Sequence, residues 1–299
     1  MGKIAFVFSG QGDQYPGMGK ELAREYPTAA KVFELCEAIR PGTSRQCFEG
    51  TEEELKQTEN TQPCLFAMEL AAASVLTEKG IVPQAVAGFS LGEVTAAAFS
   101  GLFDHATGFR LVCRRGQLMQ QEAEKFDTAM AAVVKLTPEQ VAQLCAAYSD
   151  VYPVNFNCPG QVSVSGLASQ MADFSADVKQ AGGRAIPLRV KGAFHSPFMK
   201  AAADAFGEEL KCSQLQVPSM PLYSNRTAEP YGEDAVTTLS QQICSPVLWE
   251  KLIRNLIAEG VDTFIEIGPG KTLTNMIKKI DPDVNAVSVT EYLAEVTAC

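Results

Sequence analysis

Three short apolar runs, each ending at a glycine loop, limit what this chain can fold into more than any other feature. They are residues 4–8 (IAFVF) before Ser9-Gly10-Gln11-Gly12, residues 85–87 (AVA) before Gly88-Phe89-Ser90-Leu91-Gly92, and residues 263–267 (TFIEI) before Gly268-Pro269-Gly270-Lys271. Strands with so little polar alternation are buried on both faces, and helical patterns follow the loops. The expectation is a parallel sheet with helices on both sides. A fourth run, residues 221–224 before Asn225, is expected to join it. In such sheets functional groups gather beyond the carboxyl ends of the strands.

Residues 129–190 keep a different rhythm. A strand (AMAAVVKL), a helix (PEQVAQLCAAY), two strands (VYPVNF and QVSVSG), a second helix (MADFSADVKQAG) and a last strand (RAIPLRV) follow one another. That β-α-β-β-α-β order is the ferredoxin-like split motif. The predicted division is therefore a larger domain made of 1–128 and 191–299, with a ferredoxin-like subdomain at 129–190.

The chain has 299 residues and is 46% hydrophobic, enough for a substantial core in one or two domains. Its net charge of −10 argues against a nucleic-acid partner, which needs a concentrated basic surface. The longest apolar stretches are broken by Glu78, Lys79 and Pro83, or by Glu93, so no membrane span is expected. The nine cysteines form no CxxC pair, and no signal peptide is recognisable. Reduced thiols, a cytoplasmic location and no structural metal are expected.

The second glycine loop raises the chemical question. Strand, Gly88-Phe89-Ser90-Leu91-Gly92, helix is the G-x-S-x-G context of a nucleophile elbow. Small neighbours allow the sharp turn that lifts a serine hydroxyl above the sheet. The following helix then aims its first N–H groups, beginning with Leu91, at an oxyanion. Ser90-Leu91-Gly92-Glu93 also fits an S-x-x-E capping box, which predicts that Ser90 and Glu93 satisfy helix-end donors instead. Glycines on both sides of the serine favour the nucleophile.

A serine needs a base to take its proton, a contribution of roughly 10²–10⁴-fold. The chain holds two histidines. His105 follows a probable N-cap, Asp104, and reads as a solvated first-turn residue. His195 lies between Gly192 and Pro197, in a turn leading back to the main sheet, and is the candidate base. No acid between serine and histidine occupies a recognisable end-of-strand loop, so a third triad member is not placed. The other glycine loops fail as nucleotide sites: Tyr15 stands where the dinucleotide fingerprint needs its last glycine, and Ile265 where a Walker loop needs its first. No cofactor is expected.

The ordered set Gly10-Gln11-Gly12-Asp13-Gln14, Gly88-Phe89-Ser90-Leu91-Gly92-Glu93, Arg115-Gly116-Gln117-Leu118-Met119-Gln120 and Gly192-Ala193-Phe194-His195-Ser196 resembles the malonyl-CoA:acyl-carrier-protein transacylase family. Asn157-Cys158-Pro159-Gly160-Gln161, Tyr223-Ser224-Asn225, Pro246-Val247-Leu248-Trp249 and Gly268-Pro269-Gly270-Lys271 extend the resemblance over nearly the whole chain. It implies a hydrolase-like α/β domain carrying the ferredoxin-like insert. It also implies ping-pong transfer of malonyl from malonyl-CoA to the phosphopantetheine thiol of acyl carrier protein, for fatty-acid or polyketide synthesis, by a monomer.

By the same resemblance Ser90 is the acylated nucleophile, His195 its base and later acid, and the N–H groups of Gln11 and Leu91 the oxyanion hole. Arg115 pairs with the malonyl carboxylate; without the resemblance it reads as a solvated helix residue beside Arg114. A backbone carbonyl, by position that of Gln242, orients the histidine. Phe194 implies that an α-methyl branch is disfavoured. The family usually has proline at Ser9, serine at Asp13 and histidine at Phe89, so Phe89 bears on acyl selectivity and rate. A thioester hydrolase on the same Ser–His pair competes with this picture, as does a non-catalytic carrier-binding module. Arg115 speaks against the first, and the retained Ser90, His195 and Gln11 against the second. An acidic carrier meeting an acidic chain calls for a local basic surface, expected from Arg184, Arg189, Lys191 and Lys200.

Overall fold

The computed structural model describes residues 2–188, 190 and 192–298. It contains two separate sheets. The first is parallel, with strands β1 (Lys3–Phe8), β2 (Ala85–Gly88), β7 (Val261–Ile267) and β8 (Asn285–Ser288) in the order β2-β1-β7-β8. Alternation along β1 explains why both faces are covered. Phe6 and Phe8 enter one core with Phe66 and Leu70 of the Thr58–Glu78 helix. Ala5 and Val7 enter another with Trp249, Leu252 and Ile253 of the Trp249–Ala258 helix. Full burial of each such phenylalanine contributes about 1.5–3 kcal/mol.

The register places the chemistry. Phe8 pairs with Gly88 on one side and Ile267 on the other. All three glycine loops therefore leave the sheet at the same edge. Phe89 N–H donates to the Phe8 carbonyl at 2.9 Å and Ser9 N–H to the Ile267 carbonyl at 3.0 Å, locking the loops together.

The second sheet is antiparallel, with β3 (Thr128–Val134), β4 (Val151–Cys158), β5 (Gln161–Leu167) and β6 (Arg184–Pro187) in the order β4-β5-β3-β6. Helices Pro138–Cys145 and Ala168–Gln180 cover one face, and Val133, Val164, Phe174 and Val178 share a core of their own. This is the ferredoxin-like arrangement. One strand-like residue stitches it to the rest. Val247 accepts from Phe156 N–H at 2.9 Å and donates to the Val154 carbonyl at 2.8 Å, extending β4 by a parallel bridge.

The strand expected over residues 221–224 is reduced to a single rung. Leu222 bridges Val86 in parallel, with Tyr223 N–H on the Val86 carbonyl at 2.9 Å. The chain then doubles back, Ser224 N–H donating to the Glu229 carbonyl and Ala228 taking φ 63°. The turn cuts pairing off before a second rung can form.

Candidate active site

Ser90 sits on the loop between β2 and the Leu91–Phe99 helix with φ 55° and ψ −100°. A left-handed φ on a side-chain-bearing residue costs about 1–3 kcal/mol, so the surroundings must hold it there. Two glycines and one asparagine do so. A Cβ on Gly88 would lie 1.9 Å from the Gly92 carbonyl carbon, and one on Gly92 would lie 2.2 Å from the Phe8 carbonyl oxygen. Only hydrogen fits at either place. Asn225 clamps the turn from the other side, accepting from Ser90 N–H and donating to the Gly88 carbonyl, each at 2.6 Å.

The capping-box expectation fails. Ser90 occupies the N-cap position, but its side chain makes no cap bond. The left-handed backbone turns the hydroxyl away from the helix end and toward His195, whose Nε2 lies 2.7 Å from Ser90 Oγ. Glu93 is likewise absent from the N-cap amide. It is fully buried and accepts from Tyr231 O–H at 2.5 Å, Asn225 N–H at 3.0 Å and Gln242 Nε2 at 3.0 Å.

His195 also takes a left-handed φ, 61°, in the turn after Phe194. Its Nδ1 lies 2.9 Å from the Gln242 carbonyl oxygen, and its N–H donates to the Ile243 carbonyl at 3.2 Å. With the carbonyl accepting from Nδ1–H, Nε2 is left as the basic nitrogen facing the serine. Burial, and then the nearby Arg115 cation, lower its pKa to about 4. The imidazole is therefore neutral and able to accept a proton at pH 7.

Arg115 and Arg114 divide the two roles open to them. Arg114 pairs with Glu209 on the surface at 2.9 Å, whereas Arg115 is fully buried. Arg115 Nη1 donates to Gln62 Oε1 at 2.8 Å, and Nη2 to Gln242 Oε1 at 2.8 Å and Ser90 Oγ at 3.2 Å. Its Nε has no partner among the described residues. None of the ion pairs among the described residues includes it. Desolvation pulls its pKa down to about 10, with Glu93 acting in the opposite direction, so it keeps its charge at neutral pH. A buried cation bonded only to neutral groups is a site prepared for an anion.

These groups line a cleft of about 100 Å³, together with Gln11, Phe89, Leu91, Met119, Met130, Asn155, Leu188, Val190 and Phe194. Among the described residues no intramolecular acceptor engages the N–H of Gln11 or of Leu91. Phe89 stands edge-on to Trp249 with ring centroids 5.4 Å apart, and its ring lies where a Cβ on Gly10 would fall, at 2.9 Å. Of the residues expected from sequence, Ser90, His195, Gln11, Leu91, Arg115, Phe194 and Phe89 line this cleft, and Gln242 joins it through hydrogen bonds to His195, Arg115 and Ser90. Gln62, Asn155 and Tyr231 were not anticipated, Glu93 was expected only as a capping-box residue and in its motif, and Asn225 carried only its place in the Tyr223-Ser224-Asn225 motif. Of the expected basic surface, Arg189 and Lys191 lie outside the described residues. Lys200 pairs with Asp204 and lines a different recess, one with Glu122 and Asp150, which argues against a role in attracting an acidic partner.

A strained serine beside a neutral histidine, at the carboxyl edge of a parallel sheet, defines an enzyme of the acyl-transfer class. Comparison with known proteins narrows the class: residues 5–295 match the acyl transferase domain family, and the chain belongs to it. A malonyl CoA-acyl carrier protein transacylase of Bacillus subtilis (strain 168) is 39% identical over 299 residues, covering 97% of this chain and 94% of that protein. The crystal structure of the malonyl CoA-acyl carrier protein transacylase from Clostridium perfringens Atcc 13124 has a TM-score of 0.94 at 34% identity, covering 99% of this chain and 98% of that one. A type II PKS acyl-carrier protein in complex with its malonyl-transacylase supplies a third likeness. Its TM-score is 0.91 at 34% identity, covering 96% of this chain and 94% of that one.

Proposed function

We propose that this acyltransferase moves malonyl from malonyl-CoA to the phosphopantetheine thiol of acyl carrier protein, for fatty-acid or polyketide synthesis, through a malonyl ester of Ser90. The observation that carries the substrate assignment is Arg115, buried, charged and bonded only to neutral groups, with one guanidinium nitrogen 3.2 Å from Ser90 Oγ. A guanidinium fork matches a carboxylate, which malonyl has and acetyl lacks.

In this reading Ser90 Oγ attacks the thioester carbonyl as its proton passes to His195 Nε2. The oxyanion is held by the N–H groups of Gln11 and Leu91. The carbon–sulfur bond breaks and His195 returns the proton to the departing coenzyme A thiol. In the second half, the carrier thiol gives its proton to His195 and attacks the ester, and Ser90 leaves with that proton. The Gln242 carbonyl keeps the imidazole in the needed tautomer. Phe194, 7% exposed in the cleft wall, crowds an α-methyl branch, and Phe89 shapes the wall beside the nucleophile.

For the carrier, Arg184 acts with Lys135 and Lys179. The three cations line a recess of about 420 Å³ on the second sheet, and no carboxylate shares that lining. Lys135→Glu and Arg184→Glu are expected to raise KM for the carrier while leaving malonyl loading of Ser90 unchanged; equal effects on both half-reactions would refute this. The domain division at 1–128 with 191–299, and 129–190, is supported by the second sheet and the core of Val133, Val164, Phe174 and Val178, while Met130 and Val154 tie that unit into the main core. One copy contains the whole cleft, which supports a monomer. The eight cysteines among the described residues are free thiols, which fits a reducing compartment, and the cytoplasm is the location proposed. No helix among the described residues is long and apolar enough to cross a membrane.

Intact-mass spectrometry after mixing with malonyl-, methylmalonyl- and acetyl-CoA tests the assignment. A malonyl adduct that disappears in Ser90→Ala is expected. An adduct formed equally from acetyl-CoA, or none from any donor, overturns it.

A further inference from the structure

Between the buried carboxyl group of Glu93 and the buried cation Arg115 lies one neutral group, the side-chain amide of Gln242. Its nitrogen donates to Ser90 O at 2.7 Å and to Glu93 Oε2 at 3.0 Å, and its oxygen accepts from Arg115 Nη2 at 2.8 Å. Gln242 and Glu93 are both completely buried. Rotating the amide by half a turn would set its oxygen against a carboxyl oxygen and a carbonyl, and its N–H groups against a guanidinium. All three contacts would become repulsive, and no water can intervene. Glu93, together with the Ser90 carbonyl, therefore fixes which end of the amide Arg115 meets. Glu93 is itself held by two further donors, Tyr231 O–H and Asn225 N–H.

We propose that Glu93 is a positioning residue for acyl selectivity: through the Gln242 amide it aims the Arg115 fork at the cleft, and so sets the preference for carboxylate-bearing acyl groups over neutral ones. The proposal rests on the reading of Arg115 as the carboxylate partner. Glu93 does not line the cleft or bond the Ser90 hydroxyl, and the nitrogen that reaches Ser90 Oγ is the one that Gln242 Oε1 holds. Without that anchor Arg115 keeps Gln62 on its other nitrogen but loses the contact that fixes its fork over the serine.

The test measures the rates at which Ser90 is malonylated and acetylated from the two coenzyme A esters, by intact mass. Glu93→Ala removes the acceptor. The malonyl-to-acetyl ratio is expected to fall at least tenfold with the acetyl rate unchanged within threefold. Glu93→Gln can still accept from Gln242 and is expected to restore the ratio to within threefold of the parent. A parallel fall of both rates in Glu93→Ala marks a purely structural role and overturns the proposal, as does an unchanged ratio. If Glu93→Ala does not fold, Gln242→Met is measured in its place, because it keeps the backbone carbonyl on His195 and lacks the amide. There too a fall in the ratio is expected, and an unchanged ratio overturns the proposal. Arg115→Ala separates the two levels. A collapsed ratio there beside an intact one in Glu93→Ala removes the role of Glu93 alone. An intact ratio in Arg115→Ala removes the carboxylate reading and this proposal with it.

Discussion

Adding a single methyl group at Gly92 should disable the enzyme without unfolding it. The alanine Cβ would sit 2.2 Å from the Phe8 carbonyl oxygen and 2.4 Å from that of Ser9, both backbone atoms at the rigid end of β1. Ordinary carbon–oxygen contact needs about 1 Å more, and neither atom can rotate away, so the start of the Leu91–Phe99 helix must retreat from the sheet. Leu91 N–H travels with that helix, while Gln11 N–H stays with β1. A displacement of about 1 Å at a reacting geometry costs on the order of 10²-fold, and loss of one oxyanion donor about 10²–10³-fold. The expected fall in the rate of Ser90 malonylation is therefore about 100-fold, or about 2.7 kcal/mol. The overpacking costs about 1–3 kcal/mol of stability. Quenched-flow intact mass gives the rate and a thermal melt the stability. Gly101→Ala is the control: there, unlike at helical Gly92, φ is 81°, so alanine strains the backbone, but its Cβ meets nothing within 4 Å and lies away from the cleft, so it should lower Tm and spare the rate. A Gly92→Ala enzyme within threefold of the parent rate would refute this account of the elbow.

Three more outcomes follow from the same geometry. Asn225→Ala removes both bonds that clamp the elbow and leaves buried backbone groups unpaired, so a loss of about 2–5 kcal/mol is expected in chemical denaturation, with slower acylation. Because burial disfavours the charged imidazole, His195 should remain a competent base far into acid, and the acidic limb of kcat/KM for loading should fall near pH 4. A limb at the ordinary histidine value near 6.5 would contradict the burial argument. Glu69 is fully buried between Ser9 O–H and Thr95 O–H, and desolvation raises its pKa well above the usual carboxylate range. The folded state then holds this proton more tightly than the unfolded one, so the contribution of Glu69 to stability is fully present below about pH 4.5 and declines as pH rises toward its folded value. Glu69→Gln should flatten that decline, raising Tm at pH 8 more than at pH 5; an equal change at both would exclude the effect.

Period and spacing carried the sheet, the insert and the Ser90 elbow because each depends on local rules; His195 was reached because the chain has two histidines and through the family resemblance. Apolar runs make strands, and glycines mark where backbones must touch. What stayed hidden depends on partners far apart in the chain. Glu93 and Gln242 are 149 residues apart, Arg115 and Gln62 53 apart, and neither side chain of either pair has a local pattern that names the other. The capping box misled for a related reason. Its letters presuppose an extended backbone at the serine, and contacts from Gly92 and Asn225 impose a left-handed one. Residues 221–224 have the composition of a strand, but the return of the chain at Ala228 decides their length.

The bridge through Val247 has a consequence for fidelity. With β4 hydrogen-bonded to Val247, which packs with Trp249 in the core beneath the first sheet, swinging of the second sheet against the first is restrained. In the proposed reaction the acyl group waits on Ser90, where water competes with the carrier thiol for the same ester and the same base. Accuracy becomes a race: the bound carrier brings a tethered thiol at high effective concentration, and water must find its aim unaided. Spontaneous loss of malonyl from the loaded enzyme, timed with no carrier present, measures the water side of that race. It also shows how much of the protein's reliability is supplied by the carrier and not by the enzyme.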